Sequence, residues 1–325
     1  MKLVPINEHT IRPLCELWNR EIGGEFPIRE ALFRQNSIRD ANVVEAGSWA
    51  ALADDGQSVA GFVVSKIWRE QIEPLRLGEG MGWISVLLVG TAWRGQGIGS
   101  RLLGAAEQAL RQYGVRQIHI GGDPWHYFPG VPKGDAQAAS WLERRGYKYQ
   151  NDVYDVYRNM MTEHPPDFPS FRDGASCVLL SPERKEDFLA FLERCFPGRW
   201  LYEAVKYFEY GGTGREFVVL EREGEIVGFC RINDAASPVI AQNTYWAPLF
   251  REELGGIGPL GVDPDCRNRG YGLALVQAAI RYQYDNGIRH LAIDWTGIPD
   301  FYRKLGFAPW KTYGVYCKST QTEAG

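Results

Sequence analysis

Apolar residues recur at helical spacing in two places along the chain. Leu103, Ala106, Leu110 and Tyr113 form the first series, and Leu273, Val276, Ile280 and Tyr284 form the second. A period near 3.6 predicts two amphipathic helices. Gly114 and Gly287 follow them, where helices commonly end in a left-handed residue. Each predicted helix lies between two apolar, strand-like runs. These are WISVLLV (83–89) and VRQIHI (115–120) for the first, and GPLGV (258–262) and IRHLAID (288–294) for the second. The two units superpose without gaps at an offset of 173 residues, with Val89 on Val262, Arg94 on Arg267, Gly97 on Gly270 and Gly99 on Gly272. The echo extends outward. SVAGFVVSKIW (58–68) matches EIVGFCRIND (225–234), and FPIREALF (26–33) matches FPGRWLYEAV (196–205). A supersecondary unit repeated at a fixed offset predicts a duplicated domain.

The segment MTEHPPDFPSFRDGAS (161–176) contains three prolines, and no helix can run through it. The expected organisation is an N-terminal domain over 1–160, a proline-rich linker over 161–175 and a C-terminal domain over 176–325. A length of 325 residues suits two domains. With 45% hydrophobic and 23% charged residues the chain reads as globular, and disorder is expected only in the closing STQTEAG. A net charge of −4 excludes a basic nucleic-acid surface and suits an amine or cationic substrate. No apolar run reaches membrane-spanning length, and MKLVPINEHTIRP has no signal-peptide core. Six scattered cysteines without a CxxC pair predict reduced thiols and a cytoplasmic protein. A monomer and a homodimer both stay open. Five histidines without ligand spacing predict no metal site.

The two turns carry the chemistry. RGQGIG (94–99) and RNRGYG (267–272) put glycines and arginines where a helix begins. Free first-turn amides and the helix dipole suit a phosphate or pyrophosphate. The glycine spacing fits neither GxGxxG nor GxxxxGK[ST], which argues against a nicotinamide dinucleotide or a nucleoside triphosphate. The bland reading is that such turns merely start a helix.

GVDPDCRNRGYGLALVQAA resembles the pyrophosphate-binding motif of the GNAT superfamily of acyl-CoA-dependent N-acyltransferases, [RQ]xxGx[GA]. PDFYRKLGFAPW (299–310) resembles that family's closing motif, and SWLERRGYKYQ (140–150) holds the same place in the first half. The resemblance implies an α/β (α+β) fold of two tandem GNAT-like domains, each a twisted mixed sheet flanked by helices. The tandem form is similar to mycothiol synthase and to bacterial glucosamine or glucosaminide acetyltransferases. It implies acetyl-CoA bound by the amides of Arg267, Asn268, Arg269, Gly270, Tyr271 and Gly272. In the other half Arg94, Gly95, Gln96, Gly97, Ile98 and Gly99 correspond. The pantetheine arm would follow Leu260, Gly261 and Val262 beside a bulge, with the Val262 N–H as oxyanion donor.

Tyr302 matches the family tyrosine that protonates the leaving thiolate, and Leu142 stands in its place in the first half. Asp294, opposite Gly121, is a candidate to accept the amine proton, with a turn aspartate as the plain alternative. The C-terminal half is therefore expected to catalyse and the N-terminal half not. Two positions depart from the family pattern. Trp295 and Ile298 replace the Asn and small residue common before the tyrosine, whereas the first half has Asp135 and Ala138 there. The first half also carries an insertion with Trp125, His126, Tyr127 and Phe128, read either as a sugar-recognition loop or as groove filling. The expected acceptor is a primary amine of a small molecule, with the loop favouring an amino sugar such as glucosamine. Polyamines, aminoglycosides and protein or peptide amines stay open, as does an inactive CoA-binding sensor or scaffold.

Overall fold

The computed structural model describes residues 1–56, 58–134 and 136–321, so Asp135 and the last four residues of the C-terminal segment lie outside it. The chain forms two compact units that do not divide at a single point. One contains Met1–Gln71, Arg76–Val153 and Lys311–Gly325, and the other Ile72–Leu75 and Tyr154–Trp310. The linear division expected at 161–175 therefore does not coincide with the physical one. Residues 161–175 belong to the second unit. There Gln277 Nε2 donates to Asp167 O at 2.8 Å, and Phe168 meets Tyr282 edge to face.

The first unit contains β1 (Lys2–Pro5), α1 (Ile11–Ile22), α2 (Glu30–Phe33), β2 (Trp49–Leu52), β3 (Val59–Ile67), β4 (Met81–Val89), α3 (Ile98–Gln112), β5 (Gln117–Ile120), β6 (Val131–Pro132) and α4 (Ala136–Glu143). β7 (Lys148–Asn159) starts here and ends in the second unit. The second unit continues with β8 (Ser176–Leu179), α5 (Lys185–Cys195), α6 (Arg199–Glu209), β9 (Phe217–Arg222), β10 (Glu225–Asn233), β11 (Leu254–Val262), α7 (Tyr271–Asp285), β12 (His290–Thr296) and α8 (Pro299–Arg303). β13 (Ala308–Ser319) then returns to the first unit. The strand orders are β1-β2-β3-β4-β5-β13 and β7-β12-β11-β10-β9-β8. In each sheet one parallel pair, β4·β5 or β11·β12, adjoins antiparallel neighbours.

The helices expected from periodicity are α3 and α7, each of 15 residues. They bury Leu102, Ala106 and Leu110, and Leu275, Val276 and Ile280, on one face of their sheets. Among the described residues, no helix is long and apolar enough to cross a membrane.

β13 is separated from the rest of its unit by the whole of the second one. Its Tyr313 and Tyr316 are buried there, and residues 316–319 pair with β5. A fragment of residues 1–160 lacks this strand, so it should show no cooperative thermal transition. A peptide spanning 308–321 added in trans should restore one. Tyr313→Ala in the full chain should cost about 3–5 kcal/mol in denaturant unfolding, the range for truncating a large aromatic core residue. A fragment 1–160 that melts cooperatively alone would contradict the strand exchange.

Candidate active site

Both glycine turns fold alike. A 3-10 turn ends at Arg94 in the first unit and at Arg267 in the second. Each arginine's Nε donates back to a strand-end carbonyl, Arg94 to Val89 O at 3.1 Å and Arg267 to Val262 O at 3.3 Å. Gly95 and Asn268 then take positive φ, and the N-caps Gly97 and Gly270 have φ of 79° and 80°. The N-caps have no side-chain oxygen to occupy the first-turn amides. A Cβ added at Gly95, Gly97 or Gly270 would meet nothing within 4 Å. Open amides at the positive end of a helix, with clear space before them, fit a pyrophosphate. Only the backbone of Tyr271 can take part, because its side chain is buried and its hydroxyl donates to Asp173. Gln96 donates to Ala92 O, and Ile98 is core. Gly99 and Gly272 lie against the Trp141 and Phe301 rings.

The strands before these turns separate from their parallel partners. β11 pairs with β12 only from Leu254↔His290 to Gly256↔Ala292, yet β11 runs on to Val262. The register of β10 against β11 shifts between Cys230 and Ile232, which puts an extra residue into β11 near Gly258. Gly258 has a φ of 109°. The Asp263 N–H donates to Val227 O at 2.9 Å, toward β10. Strand residues alternate the edge to which they donate, so the Val262 N–H points to the other edge, where the ladder has ended. The first unit repeats the device. β4·β5 pairing ends at Ile84↔Ile120, β4 is shifted between Val64 and Ser65 of β3, and Gly90 donates to Ala60 O.

Asp294 stands near the end of β12, at a second bulge. The register against β7 shifts between Ile293 and Thr296, and Trp295 is held at a φ of 44°. The Trp295 N–H donates to Asp155 Oδ1 at 3.1 Å. Asp294 keeps some solvent exposure, but its carboxyl is enclosed by protein. Burial raises its pKa to about 7, and the Asp155 carboxylate pushes the same way, against Arg199. A carboxylate poised near neutrality suits a general base. Tyr302, on α8, is buried, and burial first, then Cys230 and Asp294, push its pKa up, so it stays protonated at neutral pH.

Sequence reading missed the groups around Asp294. α6 presents Arg199, Glu203 and Tyr207 at i, i+4 and i+8, one stripe of a helix. Arg199 Nε donates to Glu203 Oε1 at 2.6 Å, and its guanidinium lies 4.5 Å from the Trp295 ring centre. Arg231 on β10 is 2% exposed and lies 5.4 Å from the Tyr207 ring centre. The stripe, and a lone arginine inside the apolar run of β10, were signals available in the sequence.

In the first unit the same places hold no such groups. Leu142 is core, and Gly121 replaces the aspartate. A Cβ at Gly121 would sit 2.2 Å from Phe128 O, so no acidic residue fits there. The inserted loop explains this. Trp125, His126, Tyr127 and Phe128 are buried, Phe128 stacks on Trp18 of α1 with ring centres 5.5 Å apart, and Tyr127 lies 5.9 Å from Phe33. Lys66, buried on β3, bonds Asp123 Oδ1 at 2.6 Å and Trp125 O at 2.8 Å, pinning the loop. The loop is therefore core of its own unit, not an exposed sugar-stacking surface. A cavity of about 840 Å³ still opens at the first turn, lined by Val89, Arg94, Gly97, Trp141, Arg144 and Arg145 among others.

Comparison with known proteins agrees with this duplicated geometry. The Acetyltransferase (GNAT) family matches residues 11–126 and again 185–307. The mycothiol acetyltransferase of Cellulomonas flavigena is 25% identical over 304 residues, covering 87% of this chain and 77% of that protein. The mycothiol acetyltransferase of Thermobispora bispora is 26% identical over 294 residues, covering 83% and 84%. Among solved structures, the glucosamine N-acetyltransferase region of a fungal multi-domain GH3 β-N-acetylglucosaminidase superposes with a TM-score of 0.86 at 22% identity. It covers 97% of this chain, which spans 38% of that larger protein. A tandem GNAT protein from the clavulanic acid biosynthesis pathway superposes with a TM-score of 0.68 at 15% identity, covering 99% of both chains. The structural likenesses bear on the fold, and the twofold family match settles membership: the chain is an acyltransferase of the GNAT family carrying two copies of that family's domain.

Proposed function

We propose that the second unit transfers acetyl from acetyl-CoA to a primary amine of a small molecule, an amino sugar such as glucosamine, by direct attack within a ternary complex. The observation that carries this reading is Asp294, a carboxylate tuned to about 7 beside a strand edge left open by the splayed β11. Relatives named for mycothiol and a structural neighbour named for glucosamine support the amine class. Acetyl-CoA supplies the activated acyl group. Residues 267–272 hold its pyrophosphate, and the open edge of Leu260–Val262 receives the pantetheine arm. Asp294 takes the proton from the amine, which arrives largely as ammonium. The Val262 N–H faces the carbonyl oxygen as charge develops; the Tyr302 hydroxyl gives a proton to the leaving thiolate and regains one from the nitrogen, which sheds its second proton after attack. The first unit has the turn and the cavity without either proton-transfer group, so it binds CoA without turnover.

Thiol release from acetyl-CoA with glucosamine, chitosan oligomers, polyamines, aminoglycosides and lysine peptides tests the assignment. Tyr302→Phe should lower kcat by about 10²-fold or more, the usual contribution of a positioned proton donor, while Leu142→Ala leaves it unchanged. Equal losses in both variants would contradict a catalytic second unit.

The tuned carboxylate gives a pH signature. kcat/KM should rise through about pH 7 as Asp294 loses its proton. Asp155→Asn keeps an acceptor for the Trp295 N–H but removes the negative charge, so the rise should move to lower pH. A profile flat from pH 6 to 8 would contradict the base. Stability should move the opposite way. The folded pKa lies above the unfolded value, so from about pH 4 to 7 the native state holds a proton that the unfolded state has lost, and stability falls as pH rises. Asp294→Asn should therefore raise Tm more at pH 8 than at pH 4.

A further inference from the structure

Arg231 is a buried cation whose guanidinium is incompletely used. Its Nε and Nη2 are buried and have no hydrogen-bond partner among the described residues. These two nitrogens form one edge of the guanidinium, the edge that takes two oxygens side by side. Aromatic rings support its plane, Tyr207 at 5.4 Å and Phe217 at 5.7 Å, but rings do not accept the in-plane hydrogens. Leaving such donors unmet in a dry interior is costly, so a partner is expected.

The sheet register shows where that partner lies. Asn233 pairs with Gly256, and Gly256 with Ala292. Two residues further along their strands stand Arg231 and Asp294, on the same face, with the Gly258 position between them. The opposite face carries Ile232, Ile257 and Ile293, which join the core beneath α7. Gly258 has no side chain, and a Cβ there would find only Ile293 Cγ2, at 3.9 Å. Gly258 therefore puts no side chain between the guanidinium and the base, while the buried Gln242–Thr244 turn lies over Gly256, where a Cβ would meet Asn243 Oδ1 at 1.8 Å.

We propose that Arg231 is a specificity-determining residue of the acceptor site, its free edge receiving a pair of neighbouring neutral oxygens on the acceptor beside the amine that faces Asp294. This rests on the acyl-transfer reading above and narrows its substrate class to an amine flanked by hydroxyls, as in an amino sugar. A carboxylate fits the same edge in shape but not in charge. The face already holds Glu203, Asp155 and Asp294, and Glu216, which accepts from the Tyr207 hydroxyl, stands beside it. Arg199 is bound to Glu203 and Arg215 is paired with Glu216, so among these described residues Arg231 is the cation left to face Asp294. A second anion would meet these carboxylates, whereas an ammonium with neutral hydroxyls meets opposite charge on one side and open donors on the other.

The test is calorimetric binding to the full chain saturated with CoA, using glucosamine, cyclohexylamine and serine, for wild type, Arg231→Gln and Arg231→Lys. Wild type should bind glucosamine at least about tenfold more tightly than cyclohexylamine, the scale of one charge-assisted hydrogen bond. Arg231→Gln should erase that preference and leave cyclohexylamine binding unchanged. Arg231→Lys, a point charge without the fork, should retain part of it, and it carries the comparison if the Gln variant does not fold by near-ultraviolet circular dichroism. Glucosamine binding equal in all three proteins would overturn the proposal, with a buried water as the partner. Equal loss of both amines would assign Arg231 a structural role and also overturn it. An Arg231-dependent preference for serine would replace the hydroxyl pair with a carboxylate. Binding is read without turnover, so Arg231-dependent glucosamine binding with no acetyl transfer counts against the catalytic reading and leaves the subsite standing.

Discussion

The site depends on a ladder that stops. β11 and β12 exchange hydrogen bonds over three residue pairs and then part, while β11 continues to the turn at Arg267. An unpaired strand edge inside a protein is ordinarily a cost. Here the bulge near Gly258 shifts the register and the Val262 N–H is left facing the gap. The glycine turn follows the C-terminal end of β11, and Asp294 lies near the C-terminal end of its parallel, departing neighbour. Closing the ladder would satisfy the backbone and remove the site.

Duplication separates the parts of this geometry that both units share from those that one unit holds alone. The first unit keeps the splay, the arginine bonded to a strand-end carbonyl and the left-handed glycine cap. It gives up the face where an acceptor would lie. Phe128 O occupies the space above Gly121, Trp18 and Tyr127 fill the layer, and Lys66 ties the loop to the sheet through Asp123. One unit packs that face with aromatic rings, and the other lines it with Arg199, Glu203, Arg231 and Asp294.

Local signals carried most of the fold. Helical period, glycine caps and the constant offset of 173 residues gave α3, α7 and the duplication, because each is set by residues near one another in the chain. The strand exchange was not legible. β13 pairs with β5 across some 200 residues, and nothing in the composition of residues 308–319 says which sheet they complete. Proline content marked 161–175 as non-helical but could not reveal that it packs on α7. For the candidate site, motif spacing marked the turn and Tyr302, and the repeat offset marked Asp294. Arg231, Glu203 and Asp155 escaped notice because they come from three separate elements, β10, α6 and β7, that only the tertiary fold brings together. The aromatic loop misled because exposure cannot be read from a run of turn residues.

The central claim is that the two turns are alike in structure and unlike in chemistry. Steady-state thiol release from acetyl-CoA with the best amine, compared between Gly97→Asp and Gly270→Asp, tests it most directly. Both positions hold left-handed backbone at nearly the same φ, so each substitution controls for the strain introduced by the other. A carboxylate at either cap places negative charge where pyrophosphate belongs. The account predicts that Gly270→Asp abolishes turnover and Gly97→Asp leaves kcat near wild type. Loss of turnover with Gly97→Asp alone would place the chemistry in the first unit and contradict it.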